Sequence, residues 1–283
     1  MTRTFAPNGT TVPPPTHVGG QGFPLVLLHG ICGTWEIWKP VIPALEARHR
    51  VIAMTIPGHH GGPACSGSGD ATVASLADQI VEILRAQGIE RAHVAGYSFG
   101  GWPSIELARR GFARSVVVFS PAGGWRSDHD YAVIARSFRI FYELVDVVRF
   151  LLAPVARLGW IRKVLASQAM EHAERVPYAE FGVFLRAMSN TIILPGLLRS
   201  MGRDGPVAIL QPDNIPIRIA WCGCDRVIPF RRYGEPFVER IHGAEVIMLP
   251  DVGHVPIYDD PEQVIAHILS VTASVDAVKE VAK

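Results

Sequence analysis

The sequence predicts an α/β protein built around a mostly parallel, doubly wound sheet. Six short runs rich in Val, Ile and Leu have the continuous apolar character of strands that are buried on both faces. Amphipathic, helix-like segments separate most of these runs, and this alternation is typical of a sheet covered by helices on both sides. At 283 residues the chain is long enough to bury a large core.

The predicted strands are short and nearly free of charge. They are PLVLLHG (24–30), RVIAMTI (50–56), HVAGYS (93–98), RSVVVFSPA (114–122), PIRIAWCG (216–223) and AEVIMLP (244–250). The segments predicted to be helical are 35–48, 72–88, the stretch after Ser98, 231–243 and 261–275. In the second of these, Thr72 and Gly88 are suitable caps, which supports its assignment as a helix.

The alternation is interrupted between residue 123 and about residue 213, where helical patterns dominate. Apolar side chains recur at helical spacing from Ile134 to Leu152, and Pro154 is expected to end that helix. Such a stripe is typical of a helix packed on its neighbours. An insertion between two strands also overhangs the sheet edge at which these folds place their sites. We therefore predict a helical cap inserted before the strand at 216–223. Its apolar face either packs on neighbouring helices or covers an apolar substrate pocket, and both alternatives stay open.

This pattern divides the chain into a core, a cap and two ends. The predicted parts are an N-terminal leader (1–23), a core (24–124 and 213–275), a helical cap with its connection (125–212) and a C-terminal tail (276–283). The leader lacks the apolar region of a secretory signal, so a cytoplasmic location is expected. No uncharged run reaches the ~18 apolar residues of a membrane-spanning helix. A peripheral contact with a lipid surface stays open through 150–165, where Arg157, Arg162 and Lys163 flank apolar residues.

Charge and cysteine content exclude some classes of partner. Lys and Arg total 27 and Asp and Glu total 26, so the formal charge of +1 gives no reason to expect nucleic acid as a partner. A small-molecule substrate is expected instead. The four cysteines follow no CxxC spacing, which favours reduced structural thiols over a disulfide or a metal site. The oligomeric state is left open.

The motif GYSFGG places Ser98 between glycines where a predicted strand meets a predicted helix. The pattern G-x-S-x-G is typical of a nucleophile elbow, a turn so sharp that the chain passes itself too closely for side chains two residues either side of the serine. Gly96 and Gly100 occupy those two positions. Glycine-rich turns before helices also bind phosphates and dinucleotides, so the motif needs support from the rest of the chain.

A serine hydroxyl needs a base to remove its proton and a carboxylate to orient that base. His254 follows the strand-like run at 244–250 and precedes the last helix, which makes it the predicted base. Asp225 lies just past the end of a buried strand and is the predicted acid. Asp128 is its rival; Asp259 and Asp260 are weaker candidates because they are expected to cap the last helix.

Acyl transfer also requires two N–H groups directed at the developing oxyanion. The backbone amide of Phe99, the residue after the predicted nucleophile, supplies one of them. The amide of Ile31, in the loop that leaves the strand at 24–30, is predicted to supply the other. The candidates for the lining of the substrate pocket are Trp125, Phe138, Phe141, Phe181, Met188 and Val227.

Five segments in register resemble the α/β-hydrolase-fold serine hydrolases, of the capped, single-domain kind. LLHGICGTWEIW resembles the oxyanion segment HG-x-x-G, and IPGHHGG resembles the P-G-H-G loop with one extra histidine. GYSFGG, GCDRVIP and GHVP resemble the serine, aspartate and histidine segments, and the resemblance covers about residues 24 to 272. It implies a triad of Ser98, Asp225 and His254 and an oxyanion hole formed by the amides of Ile31 and Phe99, without metal or organic cofactor.

The expected activity is hydrolysis of an ester or thioester of a small, hydrophobic acyl substrate through an acyl-enzyme. Relatives that open epoxides or displace halide use an aspartate at the elbow, so Ser98 argues against both activities. One alternative is hydrolysis of a C–C bond in a β-diketone-like substrate, for which Arg126, Arg136 or Arg186 would supply a positive group. Another is a ligand-binding or receptor protein that does not hydrolyse its ligand.

Two departures from the family pattern carry their own expectations. Only about 24 residues precede the HG segment, where the family usually has two strands, so the sheet is expected to be shortened at one edge. The pair His59 and His60 has no assigned role.

Overall fold

A computed structural model describes residues 16–66, 70–211 and 215–281. Within these residues, seven strands form one sheet in the order β1-β3-β2-β4-β5-β6-β7. The strands are β1 (Thr16–Gly19), β2 (Pro24–Leu28), β3 (Arg50–Met54), β4 (Ala92–Tyr97), β5 (Ala113–Phe119), β6 (Ile217–Cys222) and β7 (Glu245–Leu249). β1 runs antiparallel to β3, and every other neighbouring pair is parallel. The predicted fold class is confirmed.

The helices lie on both sides of this sheet or in the insertion between β5 and β6. They are α1 (Ile42–Glu46), α2 (Val73–Ala86), α3 (Gly101–Arg109), α4 (Asp128–Val155), α5 (Gly159–Leu165), α6 (Tyr178–Ser189), α7 (Leu194–Asp204), α8 (Glu235–Val238), α9 (Pro256–Asp259) and α10 (Pro261–Val281). The helix predicted over 35–48 is divided into a 3₁₀ turn (Trp35–Trp38) and the short α1, which has a proline in its first turn. Pro154 lies in the last turn of α4, one residue before the helix ends.

Strand β2 shows why the apolar runs become a buried sheet. Successive side chains of a strand point to opposite faces. Val26 and Leu28 pack in the hydrophobic cluster on one side of the sheet, and Leu25 and Leu27 pack in the cluster on the other. All four are fully buried. An uninterrupted apolar run is therefore what a central parallel strand requires.

The predicted leader is wrong over 16–19, because these residues form β1 and pair with β3 from Thr16 opposite Met54 to Gly19 opposite Val51. An edge strand packs against one neighbour only, and half of the Val18 side chain is exposed, so THVG lacks the apolar run that identifies the inner strands. In the described part of the chain, a single strand precedes β2. Residues 20–23 connect β1 to β2, and residues 1–15 of the predicted leader lie outside the described residues.

The predicted tail is also wrong over 276–281, which continue α10. The Asp276 carboxylate explains why the helix is held there. It accepts a hydrogen bond from Arg114 Nη2 at 2.8 Å and lies 3.2 Å from Nε2 of the buried His93. These contacts join the C-terminal part of α10 to the N-terminal ends of β4 and β5. The partners are distant in sequence, so local sequence patterns could not predict the contacts.

Candidate active site

Ser98 stands at the junction where β4 ends and a 3₁₀ turn (Ser98–Gly100) leads into α3. Its φ of 52° lies in the left-handed region, which is strained for a residue with a side chain. A Cβ on Gly96 would lie 2.4 Å from the Gly100 carbonyl oxygen, and one on Gly100 would lie 2.3 Å from the Leu28 carbonyl oxygen. The two glycines therefore allow the close passage of the chain that presents the Ser98 hydroxyl.

The structure brings Ser98, His254 and Asp225 together from three separate segments. His254 Nε2 lies 2.7 Å from Ser98 Oγ, and His254 Nδ1 lies 2.7 Å from Asp225 Oδ2. All three residues are more than nine-tenths buried. Because a carboxylate only accepts hydrogen bonds, Nδ1 carries the proton and Nε2 is free to accept the one from the serine hydroxyl.

Asp225 is fixed by the loop that follows β6. Its Oδ1 accepts the backbone N–H of Val227 at 2.9 Å and that of Ile228 at 2.8 Å. These two donors occupy one carboxylate oxygen and leave Oδ2 facing the imidazole. The rival Asp128 begins α4 and is exposed, and neither it nor Asp259 takes the position beside His254 Nδ1.

The loop that carries Ile31 is held by His29, a residue to which the sequence analysis gave no role. The backbone N–H of Ile56 donates to His29 Nε2 at 2.9 Å, so Nδ1 holds the proton and donates to the Gly30 carbonyl at 2.7 Å. Burial, with the neighbouring His59, lowers the pKa of His29 well below its ordinary value, so the ring stays neutral. Its position at the end of β2 was visible in the sequence, but its bonding partners were not.

His59 fills the space between this loop and the serine turn. Its ring centroid lies 4.9 Å from that of His29 and 5.9 Å from that of Phe99. Burial lowers the pKa of His59 to about 4. Of the doubled histidines, His59 therefore packs inside as a neutral ring, while His60 is half-buried nearer the surface.

A cavity of about 530 Å³, part of it open to solvent, adjoins the Ser98 hydroxyl. Ile31, Phe99 and Ser98 line it together, which places the residues of both predicted oxyanion amides at the same wall. The lining is otherwise almost entirely apolar and includes Trp125, Ile134, Phe138, Leu198, Met201 and Ile228. Of the described residues that line it, none is charged, and the hydroxyls of Tyr131 and Tyr233 donate to backbone carbonyls.

Two of the six predicted pocket residues, Trp125 and Phe138, line this cavity. Phe141 does not line this cavity and is 43% exposed, so its assignment to the pocket stays a prediction. The face of α4 turned toward the protein follows Tyr131, Phe138 and Val145, at offsets of 7 residues, and Phe141 lies at the border of that face. A sequence stripe gives the helical spacing but not the direction from which the neighbours pack.

The other three pocket candidates do not line the cavity at Ser98. Phe181 and Met188 of α6 are buried in the cluster that joins the cap to the core. Phe181 lines a second cavity, beside Tyr258 and away from Ser98. Val227 is half-buried and packs against the opposite cluster, while its backbone N–H holds Asp225. The neighbouring Ile228 lines the cavity in its place.

Among residues 16–66, 70–211 and 215–281, no three His, Cys, Asp or Glu side chains are grouped so that they could hold a metal ion. The four cysteines are not joined to one another. Burial raises the pKa of the Cys32 thiol, in the loop beside Ile31, to about 12. Cys32 is therefore a neutral thiol, and the thiolate is the form that acts as a nucleophile.

In the segment considered for a lipid contact, 150–165, the side chain of Arg162 does not face solvent. This guanidinium is buried and donates to the carbonyls of Ala156, Arg157 and Glu174, so it ties α5 to its surroundings. Trp160 and Val164 are exposed on the same helix. The lipid contact stays a prediction. No helix of the described chain meets alone the length and hydropathy needed to cross a membrane; α6 and α7 meet them jointly but are bent by 66° at the break between them.

A mostly parallel sheet, a serine turn at the end of its central strand and helices inserted after β5 define the class of α/β hydrolases. The chain belongs to the alpha/beta hydrolase family, whose model matches residues 25–267. The predicted family is thereby confirmed.

Several known proteins are similar to this chain. Epoxide hydrolase EphH of Mycobacterium tuberculosis is 30% identical over 210 residues, which are 70% of this chain and 93% of that protein. A thermophilic esterase from Thermogutta terrifontis superposes with a TM-score of 0.69 at 20% identity, covering 97% of both chains. The enol-lactonase from Burkholderia xenovorans LB400 gives a TM-score of 0.67 at 18% identity, covering 94% of this chain and 98% of that one. The two solved structures share the fold with this chain, and the family match and the relatives support hydrolase activity.

Proposed function

We propose that the protein is a serine hydrolase that cleaves an ester or thioester of a small, hydrophobic acyl substrate. The observation that carries the proposal is the hydrogen-bonded series Ser98–His254–Asp225, which meets an apolar cavity at the serine hydroxyl. In this arrangement His254 can accept the proton of the Ser98 hydroxyl, and the Asp225 carboxylate accepts the hydrogen bond from the Nδ1–H group of the imidazole.

The proposed reaction proceeds through an acyl-enzyme. Ser98 Oγ attacks the carbonyl carbon while His254 Nε2 takes its proton, and the amides of Ile31 and Phe99 stabilise the oxyanion of the tetrahedral intermediate. The imidazolium then protonates the departing alcohol or thiol as the bond to the acyl carbon breaks. Water attacks the acyl-enzyme with His254 as its base, and the acid leaves as Ser98 regains its proton. Asp225 remains ionised throughout.

The lining of the cavity supports an uncharged acyl group. A carboxylate or ammonium would lose its hydration there without meeting an opposite charge among the described lining residues, which is costly. Apolar surface, in contrast, gains about 25 cal/mol for each Å² removed from water. Hydrophobic acyl chains or aromatic acids fit this environment.

The similarity to the epoxide hydrolase EphH suggests epoxide opening as a second candidate reaction. An aspartate that opens an epoxide becomes an ester, which a histidine-activated water can cleave. A serine that opened an epoxide would become an ether, which this machinery cannot hydrolyse, so the nucleophile would be lost after one event. Ser98 at the elbow therefore favours acyl transfer over epoxide opening.

C–C bond hydrolysis of a β-diketone-like substrate is less well supported. It would call for a positive group in the cavity, yet Arg126 pairs with Glu239 at 2.6 and 2.7 Å and is exposed, and neither Arg136 nor Arg186 is a lining residue. A ligand-binding protein without turnover would have no use for an aligned base and acid. The cytoplasmic location stays a prediction of the sequence alone.

The deciding experiment combines a fluorophosphonate probe, intact-mass analysis and turnover of a series of p-nitrophenyl esters from acetate to dodecanoate. One adduct per chain and measurable ester turnover are expected, with kcat/KM highest for the acyl chain that fills the cavity. No adduct and no turnover from folded protein would reject the serine hydrolase and favour the binding protein. An adduct on a residue other than Ser98 would reject the proposed nucleophile.

A further inference from the structure

Asp259 is a buried carboxylate for which the proposed reaction has no role. It ends the short helix α9, five residues after His254, and is 2% exposed. Both of its oxygens accept backbone N–H groups: Oδ2 from Gly253 at 2.8 Å and from Glu171 at 2.9 Å, and Oδ1 from His172 at 2.7 Å. Three donors on one buried charge make a strong and directional set of contacts.

These donors come from two segments that are distant in sequence. Glu171 and His172 belong to the connection between cap helices α5 and α6, whereas Gly253 immediately precedes His254. On the other side of the histidine, the Val255 N–H donates to the Ala169 carbonyl at 2.9 Å. Val255 is therefore bonded directly to the cap connection, and Gly253 is linked to it through the Asp259 carboxylate.

Gly253 shows how closely the two segments approach each other. A Cβ at this position would lie 2.9 Å from the Ala169 carbonyl oxygen and 3.0 Å from Met170 Cα. The Asp225 loop reaches the same connection, because Arg226 Nη1 donates to the Ser167 carbonyl at 2.9 Å and pairs with the Glu171 carboxylate. The loops of the base and of the acid are thus both anchored on residues 167–172.

We propose that Asp259 is a positioning residue, which sets the His254 imidazole relative to Ser98 by fastening its loop to the cap connection. The proposal rests on the proposed function, since it assigns Asp259 a part in that reaction without contact to the substrate. Hydrogen bonds that hold a catalytic group can control rate strongly, because a displacement of about 1 Å in a reacting group can cost about 100-fold.

From their positions before Pro261, Asp259 and Asp260 are both predicted to cap the last helix. The structure gives that role to Asp260, whose Oδ1 accepts the Gln263 N–H at 3.0 Å. Asp259 instead faces the cap connection and the histidine loop. The two adjacent acids therefore make different contacts.

The test compares Asp259→Asn with wild type and with Asp276→Asn. Asparagine keeps one acceptor oxygen but turns an N–H₂ group toward backbone donors, so one or more of the three contacts is lost. Asp276 is a matched control because it lies in the same C-terminal region and binds Arg114 and His93, and none of these three residues lines the cavity. We expect Asp259→Asn to lower kcat for the preferred ester 10- to 100-fold with KM within about twofold, and to slow fluorophosphonate labelling of Ser98 similarly. Asp276→Asn is expected to lower Tm while kcat and labelling stay at the wild-type level.

A second variant keeps the proposal testable if Asp259→Asn does not fold. Gly253→Ala leaves the carboxylate in place but pushes the two segments apart, and it is expected to lower kcat and the labelling rate in the same way. Unchanged kcat and labelling in folded Asp259→Asn or Gly253→Ala, with only Tm reduced, would overturn the positioning role. So would a rise in KM at constant kcat, which would mean a change of pocket shape. Wild-type protein that neither turns over esters nor reacts with the probe would instead reject the proposed function.

Discussion

The Oγ of Ser115 lies 2.7 Å from Nδ1 of His93, the same distance that separates Ser98 from His254. His93 Nε2 is in turn 3.2 Å from the Asp276 carboxylate, so the chain holds a second Ser-His-Asp series. Ser115, however, lies within the buried strand β5 and does not line the cavity at Ser98. A turn and a cavity, rather than the three contacts alone, distinguish the candidate nucleophile.

The two serines make a matched pair for the first prediction. Ser98→Ala should abolish the fluorophosphonate adduct and reduce kcat by about a million-fold, because removal of the nucleophile leaves only the rest of the site. Ser115→Ala should keep the adduct and kcat while lowering the free energy of unfolding by about 1 kcal/mol, the usual size of a lost internal hydrogen bond. Intact-mass analysis and urea denaturation measure both effects. An adduct that persists in Ser98→Ala would remove Ser98 from the proposed mechanism.

Asp225→Asn should leave the fold intact and lower kcat by about 10⁴-fold. The new amide presents a donor to His254 Nδ1, so the ring adopts the tautomer with its proton on Nε2 and no longer accepts from Ser98. Asp128→Asn is the matched control, since Asp128 was the rival acid and is exposed at the start of α4. Steady-state ester kinetics separates them. Equal losses in the two variants would argue against Asp225 as the orienting carboxylate.

Phe138 and Phe141 lie three residues apart on α4, yet only Phe138 lines the cavity. Phe138→Ala should lower kcat/KM for short acyl esters about tenfold and move the preferred chain length upward, because a removed ring leaves space that a longer chain fills. Phe141→Ala should leave the chain-length profile unchanged. The p-nitrophenyl ester series supplies the measurement. A profile that shifts in Phe141→Ala but not in Phe138→Ala would mean that the cap faces the cavity differently.

The sequence predicted the segments around the candidate site better than the edge of the sheet and the long-range contacts. The turn at Ser98 could be predicted because the close passage of the backbone requires glycines at fixed positions. The inner strands could be predicted because burial on both faces requires continuous apolar runs. The prediction of Ser98, Asp225 and His254 rested on their positions after strands, and the structure places the three side chains within hydrogen-bond distance of one another in series. β1 was missed because an edge strand is only partly buried and needs no continuous apolar run. Periodicity also does not reveal the direction from which neighbours pack, so it could not show that Phe141 lies outside the cavity at Ser98. The contacts of Asp259 join segments about 88 residues apart, which no local pattern encodes.

Burial of neutral histidines should make the protein less stable in acid. The pKa of His59 is about 4 in the folded protein because of burial, against an ordinary value of 6.5, so the unfolded chain binds the proton first. Its contribution to stability is therefore complete above pH 6.5 and is lost as the pH falls toward 4, with a slope of up to about 1.4 kcal/mol per pH unit for one proton. His29 has a lowered pKa for the same reason and adds to the trend.

His59 should contribute measurably to the slope of the free energy of unfolding against pH. His59→Gln removes one titrating group, so its free energy of unfolding should depend less steeply on pH between 6.5 and 4 than that of wild type, whatever its stability at pH 7. His129→Gln, at an exposed position of α4, should keep the wild-type slope. Urea denaturation at half-unit steps of pH gives both slopes. A His59→Gln slope equal to that of wild type would mean that His59 is already protonated, or accessible to water, in the folded protein.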